Sequence, residues 1–301
     1  MTATDLVPEA IKVRPMTDEI LTEALPSSNG AVRPRAFVLT IYGLYAREES
    51  GWFSVGNLIR MLAELDVDEP AVRSSISRLK RREILHGERV DGNAGYALSP
   101  HARAILDQGD RRIFTRSEAA VGDGWILAVF SVPESERKMR HLIRSRLGWV
   151  GFGSVGPGVW IAPSHLEDEA REVLRQDDLM KYVDLFTAHY RSDDLVHEVT
   201  TWWDLDSIDR RYRMFEDAHA PVLDGWSRRR RKDDEGEAFA DYVRTLTAWR
   251  RLPFLDPGLP AELLPADWCG NQAADTFHAL RRRLEGPAHR FVDGIRAPQH
   301  G

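Results

Sequence analysis

One short segment of this sequence concentrates cations and hydroxyls on one side of a helical pattern. In EPAVRSSISRLKRREIL, residues 69–85, Val72, Ile76 and Leu79 repeat at helical spacing and predict a buried stripe. The remaining faces carry Arg73, Ser74, Ser77, Arg78, Lys80 and Arg81. Arginine and lysine bind phosphates and guanine edges, and small serines let a helix approach bases closely. The segment therefore predicts a DNA-binding face, with a purely solvated helix face as the alternative.

Helix caps and apolar periods indicate the elements that would position this face. Asp68 can serve as an N-cap and Pro70 is tolerated in a first turn, so we expect the helix over about 69–82. Two earlier helices are indicated, one within RPRAFVLTIYGLYARE and one capped by Ser54. Their apolar positions are Phe37, Ile41 and Leu44 in the first helix and Leu58, Leu62 and Leu65 in the second. Together with the stripe of the third helix, these side chains can form a small core.

A β-hairpin is predicted directly after the third helix. Residues 84–90 and 94–98 have strand-like patterns, and the DGN between them is a turn signal. Arg89 lies near the tip, and Ser99 can cap a fourth helix. Three helices followed by a hairpin is the order of a winged helix-turn-helix, in which the third helix enters the major groove. We therefore expect a flexible tail over 1–32 and a DNA-binding domain over 33–116.

Two further domains are predicted beyond this one. The apolar run WILAVFSV, residues 125–132, is typical of a buried strand and opens a β-α-β-β-α-β order over 122–199, which is ferredoxin-like. Residues 200–295 have mostly helical periods. The expected fold class is α+β and multidomain: a winged helix-turn-helix, then a ferredoxin-like domain, then a mostly helical C-terminal domain.

Composition narrows the class of protein further. The chain has 301 residues, a formal net charge of −6 and a single cysteine, so no disulfide can form within one chain. No apolar run approaches the roughly 20 residues of a membrane helix, and the N-terminal stretch lacks the apolar region of a signal peptide. These features predict a soluble, cytoplasmic protein whose basic character is local.

The three parts in this order resemble the PaaX family of bacterial transcriptional regulators. The resemblance covers roughly residues 33–295 and includes VRSSISRLKRREIL, YALSPHARAILDQGDRRIF, WVGFGSVGPGVWIAP and WRRLPFLDPGLPAELLPADWCG. It implies a homodimeric, non-enzymatic repressor of aromatic catabolism, of the phenylacetate type. It also implies a ligand, phenylacetyl-CoA or another aryl-CoA thioester, that releases the repressor from double-stranded operator DNA. The middle domain is similar to small CRISPR nucleases, but WILAVFSVPES has no Asp where those nucleases carry one.

Tryptophans with nearby arginines are the candidate contacts for such an effector. An indole can pack on an aryl group and a guanidinium can pair with an acidic thioester tail. The candidates are Arg144, Arg146, Trp149, Trp160, Trp203 and Arg250. The alternative for each tryptophan is a place in a helical core.

Other motifs are weaker. Gly151, Gly153 and Gly156 match G-x-G-x-x-G, but Pro157 and a strand-like run follow where a dinucleotide site needs a helix, so a tight turn is the better interpretation. Residues 189–197 hold a loose His/Asp cluster without cysteine, and the cationic run 228–232 is followed by acids. We therefore predict no cofactor, metal or membrane partner. The alternatives are an enzyme or nuclease acting on a CoA ester or nucleic acid, and a protein-interaction scaffold.

Overall fold

The chain has an α+β fold that divides into two units between Ile105 and Leu106. The computed structural model describes residues 33–47, 51–115, 118–120, 122–229 and 234–297, and the predicted tail over 1–32 lies outside them. The division into three domains at the predicted boundaries stays a prediction. No helix in the described ranges is long and apolar enough to cross a membrane.

Within residues 33–47 and 51–105, the first unit contains three complete helices and a small sheet. Its elements are α1 (Pro34–Tyr45), β1 (Trp52–Ser54), α2 (Val55–Ala63), α3 (Glu69–Arg81), β2 (Leu85–Val90) and β3 (Asn93–Leu98), and α4 (Pro100–Phe114) continues through the division into the second unit. All three predicted caps are confirmed: the side chains of Ser54, Asp68 and Ser99 accept from backbone N–H groups three residues on, at 3.0, 2.8 and 3.2 Å. Local capping thus determines where these helices begin.

The sheet of the first unit has the antiparallel order β1-β3-β2. The predicted hairpin is confirmed, with Val90 opposite Asn93 and a two-residue turn between them. Asp91 and Gly92 both have positive φ, 49° and 79°, as a type I′ turn requires. The strand β1 was not predicted, and it pairs with β3 through Phe53 and Tyr96.

The second unit opens with a four-stranded antiparallel sheet of order β5-β6-β4-β7. Its elements are β4 (Trp125–Phe130), α5 (Arg137–Val150), β5 (Gly153–Gly156), β6 (Val159–Pro163), α6 (Glu167–Gln176) and β7 (Val183–Ala188). A core of buried residues that includes Ile126, Ala128, Ile143, Leu147 and Leu174 packs between the sheet and the helices.

Helices form the rest of the second unit. They are α7 (Leu195–Trp202), α8 (Leu205–Arg228), α9 (Glu235–Trp249), α10 (Leu252–Leu255) and α11 (Gly270–Arg296). Trp249 and Phe277 stack at 4.7 Å between α9 and α11. The proline-rich stretch after α9 holds only the short α10 and one 3₁₀ turn, as its irregular pattern predicts.

Candidate nucleic-acid interface and ligand cavities

Helix α3 has the two faces that its sequence predicts. Val72, Ile76 and Leu79 are buried. The six predicted polar contacts, Arg73, Ser74, Ser77, Arg78, Lys80 and Arg81, are all exposed. Arg73 is held by Glu69, one turn earlier, at 2.7 Å. Because both side chains are more than half exposed, this ion pair is weak and a phosphate can replace the carboxylate.

Two further cations beside α3 were missed by the sequence reasoning. Arg33 and Arg35, at the start of α1, line a groove of about 340 Å³ together with Ser74 and Arg78. Burial lowers the pKa of Arg35, and the charges of Arg82 and Arg78 lower it further. In the sequence, both arginines belong to the segment VRPR at residues 32–35. The segment alone does not show that they lie beside α3, because this depends on how α1 packs against α3.

The predicted wing residue lies where its strand pattern places it. Arg89 is exposed in β2, opposite Ala94 and next to the hairpin turn. The carbonyl of its neighbour Glu88 accepts from the indole Nε1 of Trp52 at 3.3 Å, so β1 supports the hairpin. The first unit therefore presents cations on α3, at the start of α1 and near the hairpin tip.

The six predicted effector contacts do not come together in one site. Arg144, which is exposed, and Trp160 line one open cleft of about 600 Å³ between α5 and the β5–β6 turn, and Arg140 lines it with them. The cleft thus combines the aromatic ring of Trp160 with the cations of Arg140 and Arg144. None of its lining residues is acidic.

The other four predicted contacts have structural partners. Arg146 is buried and ion-paired with Asp177. Trp149 stacks on Phe254 at 5.1 Å, and the indole of Trp203 donates to the carbonyl of Gly151 at 2.9 Å. Arg250 is buried, and burial lowers its pKa to about 10. Their role as effector contacts stays a prediction.

The structure also shows where the weaker sequence motifs lie. The glycine motif runs into β5 and a turn in which Gly158 has φ 77°, and no helix follows, so the turn interpretation is confirmed. Residues 189–194 precede α7, so His189 and His197 do not share a helix face. No metal-binding cluster of His, Cys, Asp or Glu occurs among the described residues. Arg229 pairs with Glu237, and 230–232 lie outside the description.

The sequence reasoning also missed a half-open cavity of about 380 Å³ within the second unit. Its wall includes Gln108, Arg112, His165, Tyr212, Trp249 and Asp256. The Tyr212 hydroxyl donates to the Asp256 carboxylate at 2.8 Å, and the Trp249 indole donates to the carbonyl of Ile113 at 2.9 Å. Burial, with the Arg112 charge second, lowers the pKa of His165.

Arg112 ties this wall to neighbouring segments of the second unit. Its guanidinium donates to the carbonyls of Val150, Pro253 and Asp256 at 2.6, 2.8 and 3.2 Å. It also pairs with Glu169 at 3.2 Å. The cavity is therefore preformed by a polar network rather than left between loosely packed elements.

Comparison with known proteins places this chain in a family. Residues 33–102 match the model described as PaaX-like protein, residues 118–199 the PaaX protein central Cas2-like domain, and residues 203–294 the PaaX-like protein C-terminal domain. Because the three matches follow one another along most of the described chain, the protein belongs to the PaaX family.

Two relatives extend this comparison. The chain is 24% identical over 261 residues to the transcriptional repressor PaaX of Escherichia coli strain K12, covering 85% of this chain and 82% of that protein. It is also similar in structure to the uncharacterized protein Rv0674 from Mycobacterium tuberculosis, with a TM-score of 0.54 and 21% identity over 87% of this chain and 99% of that chain. The second likeness shows a shared fold.

Proposed function

We propose that this protein is a non-enzymatic, DNA-binding transcriptional repressor of the PaaX type. In this proposal the first unit is a winged helix-turn-helix with α3 as recognition helix and β2–β3 as wing. The observation that carries it is the division of α3 into a buried apolar stripe and an exposed face with all six predicted polar side chains. The antiparallel order β5-β6-β4-β7 supports a ferredoxin-like middle domain.

The exposed cations fit the chemistry of duplex DNA. Arg78, Lys80 and Arg81 would bind phosphates or guanine edges, and Ser74 and Ser77 would allow α3 to approach the bases. Arg33 and Arg35 extend the cationic surface beyond the recognition helix. Arg89 would contact the backbone from the wing.

Dimerisation and effector release complete the proposal. Two recognition helices of a homodimer would read half-sites about one DNA turn, or a multiple of it, apart. An aryl-CoA thioester of a catabolic pathway for phenylacetate-like compounds would bind the second unit and favour a dimer that no longer fits this spacing. Such a switch requires that the thioester bind the two states with different affinity. A cytoplasmic location belongs to the same proposal.

The test is fluorescence anisotropy of the full chain on DNA from upstream of its own gene, with and without phenylacetyl-CoA. We expect tight binding that the thioester reverses, and a loss of at least about 100-fold in affinity for the triple variant Arg73→Ala/Arg78→Ala/Arg81→Ala, since charged contacts contribute most of DNA affinity. The matched control, Arg210→Ala/Arg211→Ala/Arg282→Ala, removes three exposed charges from the second unit and should bind normally.

The contrary outcomes are equally specific. Equal losses in both triple variants would mean that general charge, not α3, binds DNA. Absence of specific DNA binding at moderate salt would reject the repressor and favour an enzyme or a protein-interaction scaffold. If DNA binding is tight and phenylacetyl-CoA does not change it, the repressor function stands but this thioester is not its effector.

A further inference from the structure

The half-open cavity of the second unit has the dimensions and walls of a small-molecule site. Its volume of about 380 Å³ lies within the usual range of ligand pockets. Arg112, Tyr212 and Trp249 all donate hydrogen bonds to other parts of the wall, so the cavity keeps its shape without a ligand. Tyr212 and Trp249 contribute aromatic residues to the wall.

Two polar atoms of the wall have no hydrogen-bond partner within the described part of the chain. They are Nε2 of Gln108 and Nδ1 of His165, and both are shielded from solvent. A buried donor without a partner carries a free-energy penalty that a ligand acceptor can remove. Because burial lowers the pKa of His165, its ring is neutral near pH 7 and adds no charge to the cavity.

The charges of the wall disfavour an anion. Carboxylates outnumber guanidiniums among the lining residues, with Asp168, Glu169, Glu172 and Asp256 against Arg111 and Arg112. Arg112 is already paired with Glu169 and with three carbonyls. A neutral group with an acceptor oxygen therefore fits better than a carboxylate or a phosphate.

We infer that this cavity binds the neutral aryl carbonyl end of a small-molecule effector. The carbonyl oxygen accepts from Nε2 of Gln108, and the aryl ring packs against Tyr212 and Trp249. This inference rests on the proposed function, because it gives the repressor's effector a site. It replaces the cleft of Arg144 and Trp160 as the place of the aryl group.

The position of Gln108 and Arg112 in α4 connects such a ligand to regulation. The helix begins at Pro100, directly after β3 of the proposed wing, and continues without a break to Phe114. A ligand bonded to Gln108 stabilises only those states in which this part of α4 keeps its place at the cavity. That selectivity is the differential affinity that an effector needs.

The test is isothermal titration calorimetry of the full chain, without DNA, using phenylacetyl-CoA, phenylacetamide, phenylacetate and CoA. We expect phenylacetyl-CoA and phenylacetamide to bind, and phenylacetate and CoA to bind at least about tenfold more weakly, since four carboxylates against two guanidiniums make the wall unfavourable for an anion that must lose its hydration. If neither phenylacetyl-CoA nor phenylacetamide binds, or if phenylacetate binds as tightly as phenylacetamide, the inference is wrong.

Variants locate the site. Gln108→Met removes the unpartnered donor, so it should weaken phenylacetyl-CoA binding about fivefold while leaving the melting temperature unchanged or higher. Thr115→Tyr, at an exposed lining position, should block the cavity. The matched control is Gln272→Met, at an exposed position of α11.

Arg144→Glu tests the rival cleft. Loss of binding in Arg144→Glu, with normal binding in Gln108→Met and Thr115→Tyr, would move the effector to the cleft and overturn the cavity assignment. Because calorimetry is done without DNA, this failure is distinct from a failure of operator binding, which would reject the repressor itself.

Discussion

The guanidinium of Arg112 donates to the carbonyl oxygen of Val150 at 2.6 Å, and this contact joins the C-terminal half of α4 to the end of α5. The side chain is 11% exposed. Removing it would leave Glu169 and the carbonyls of Pro253 and Asp256 without this donor. We expect Arg112→Met to lower the free energy of unfolding by about 3–5 kcal/mol, as for other broken buried ion pairs.

Urea denaturation measures this loss. The adjacent Arg111 is exposed, so Arg111→Met removes the same charge and should change stability by less than about 0.5 kcal/mol. Similar midpoints for the two variants would show that the network around Arg112 does not hold the second unit together.

A second prediction concerns the carboxylate that occupies Arg73. Glu69 pairs with this guanidinium at 2.7 Å on the proposed DNA-binding face. Glu69→Gln should free Arg73 and remove a repulsive charge, so DNA affinity should rise about two- to fivefold, the worth of an exposed ion pair. Anisotropy titrations at several salt concentrations measure how the logarithm of DNA affinity falls with the logarithm of salt concentration. This slope should become steeper by up to about 0.9, which corresponds to one additional phosphate contact.

Glu64→Gln is the matched control, because Glu64 is exposed at the end of α2 and outside this ion pair. An equal gain in affinity for Glu64→Gln would mean that total charge rather than Arg73 is responsible.

A third prediction distinguishes two glycines of the hairpin. A Cβ at Gly95 would overlap the carbonyl oxygen of Phe53 and the indole of Trp52, whereas a Cβ at Gly92 has open space around it. Gly95→Ala should therefore destabilise the protein by about 1–3 kcal/mol through overpacking of β1 against β3. Gly92→Ala should cost about 1 kcal/mol, from positive φ alone.

Thermal unfolding followed by circular dichroism measures both substitutions. If Gly92→Ala were as damaging as Gly95→Ala, the close approach of β1 to β3 would not be a determinant of stability.

The fourth prediction is a loss of stability in mild acid. Burial is the largest cause that lowers the pKa of His165, His219 and His278. As pH falls below the ordinary histidine value of about 6.5, the unfolded chain takes up protons at these positions before the folded chain does. The free energy of unfolding should therefore be greatest above this value and should fall between about pH 7 and pH 5.

Urea titrations across this pH range measure how steeply the free energy of unfolding falls as the pH is lowered. His219→Gln should flatten this pH dependence, because His219 is packed on Phe215 with ring centroids 4.2 Å apart. His101→Gln, at an exposed position of α4, is the control. If His219→Gln leaves this pH dependence unchanged, other groups are responsible for the loss of stability in acid.

Local signals explain which parts of the fold the sequence predicts. The caps Ser54, Asp68 and Ser99 and the Asp91–Gly92 turn act within a few residues, so their patterns are visible in the chain. The three-residue strand β1 has too short a pattern to be predicted, and its partner β3 lies some 40 residues later.

The same distinction applies to the sites. The exposed face of α3 follows from helical period alone, so the exposure of all six side chains could be predicted, while their contact with DNA stays a prediction. The cavity was not found, because Gln108, His165 and Asp256 approach one another only through tertiary packing. The dispersal of the predicted effector contacts has the same cause, since buried tryptophans such as Trp203 serve the core.

The division between the two units falls inside α4, a continuous helix, and not in a loop. Fifteen helical residues make a stiff rod about 22 Å long. A tilt of about 5° at one end of such a rod displaces the other end by about 2 Å, whereas a flexible linker would absorb the motion. A shift of the C-terminal turns of α4 would therefore reach its first turn at Pro100 without being absorbed along the helix.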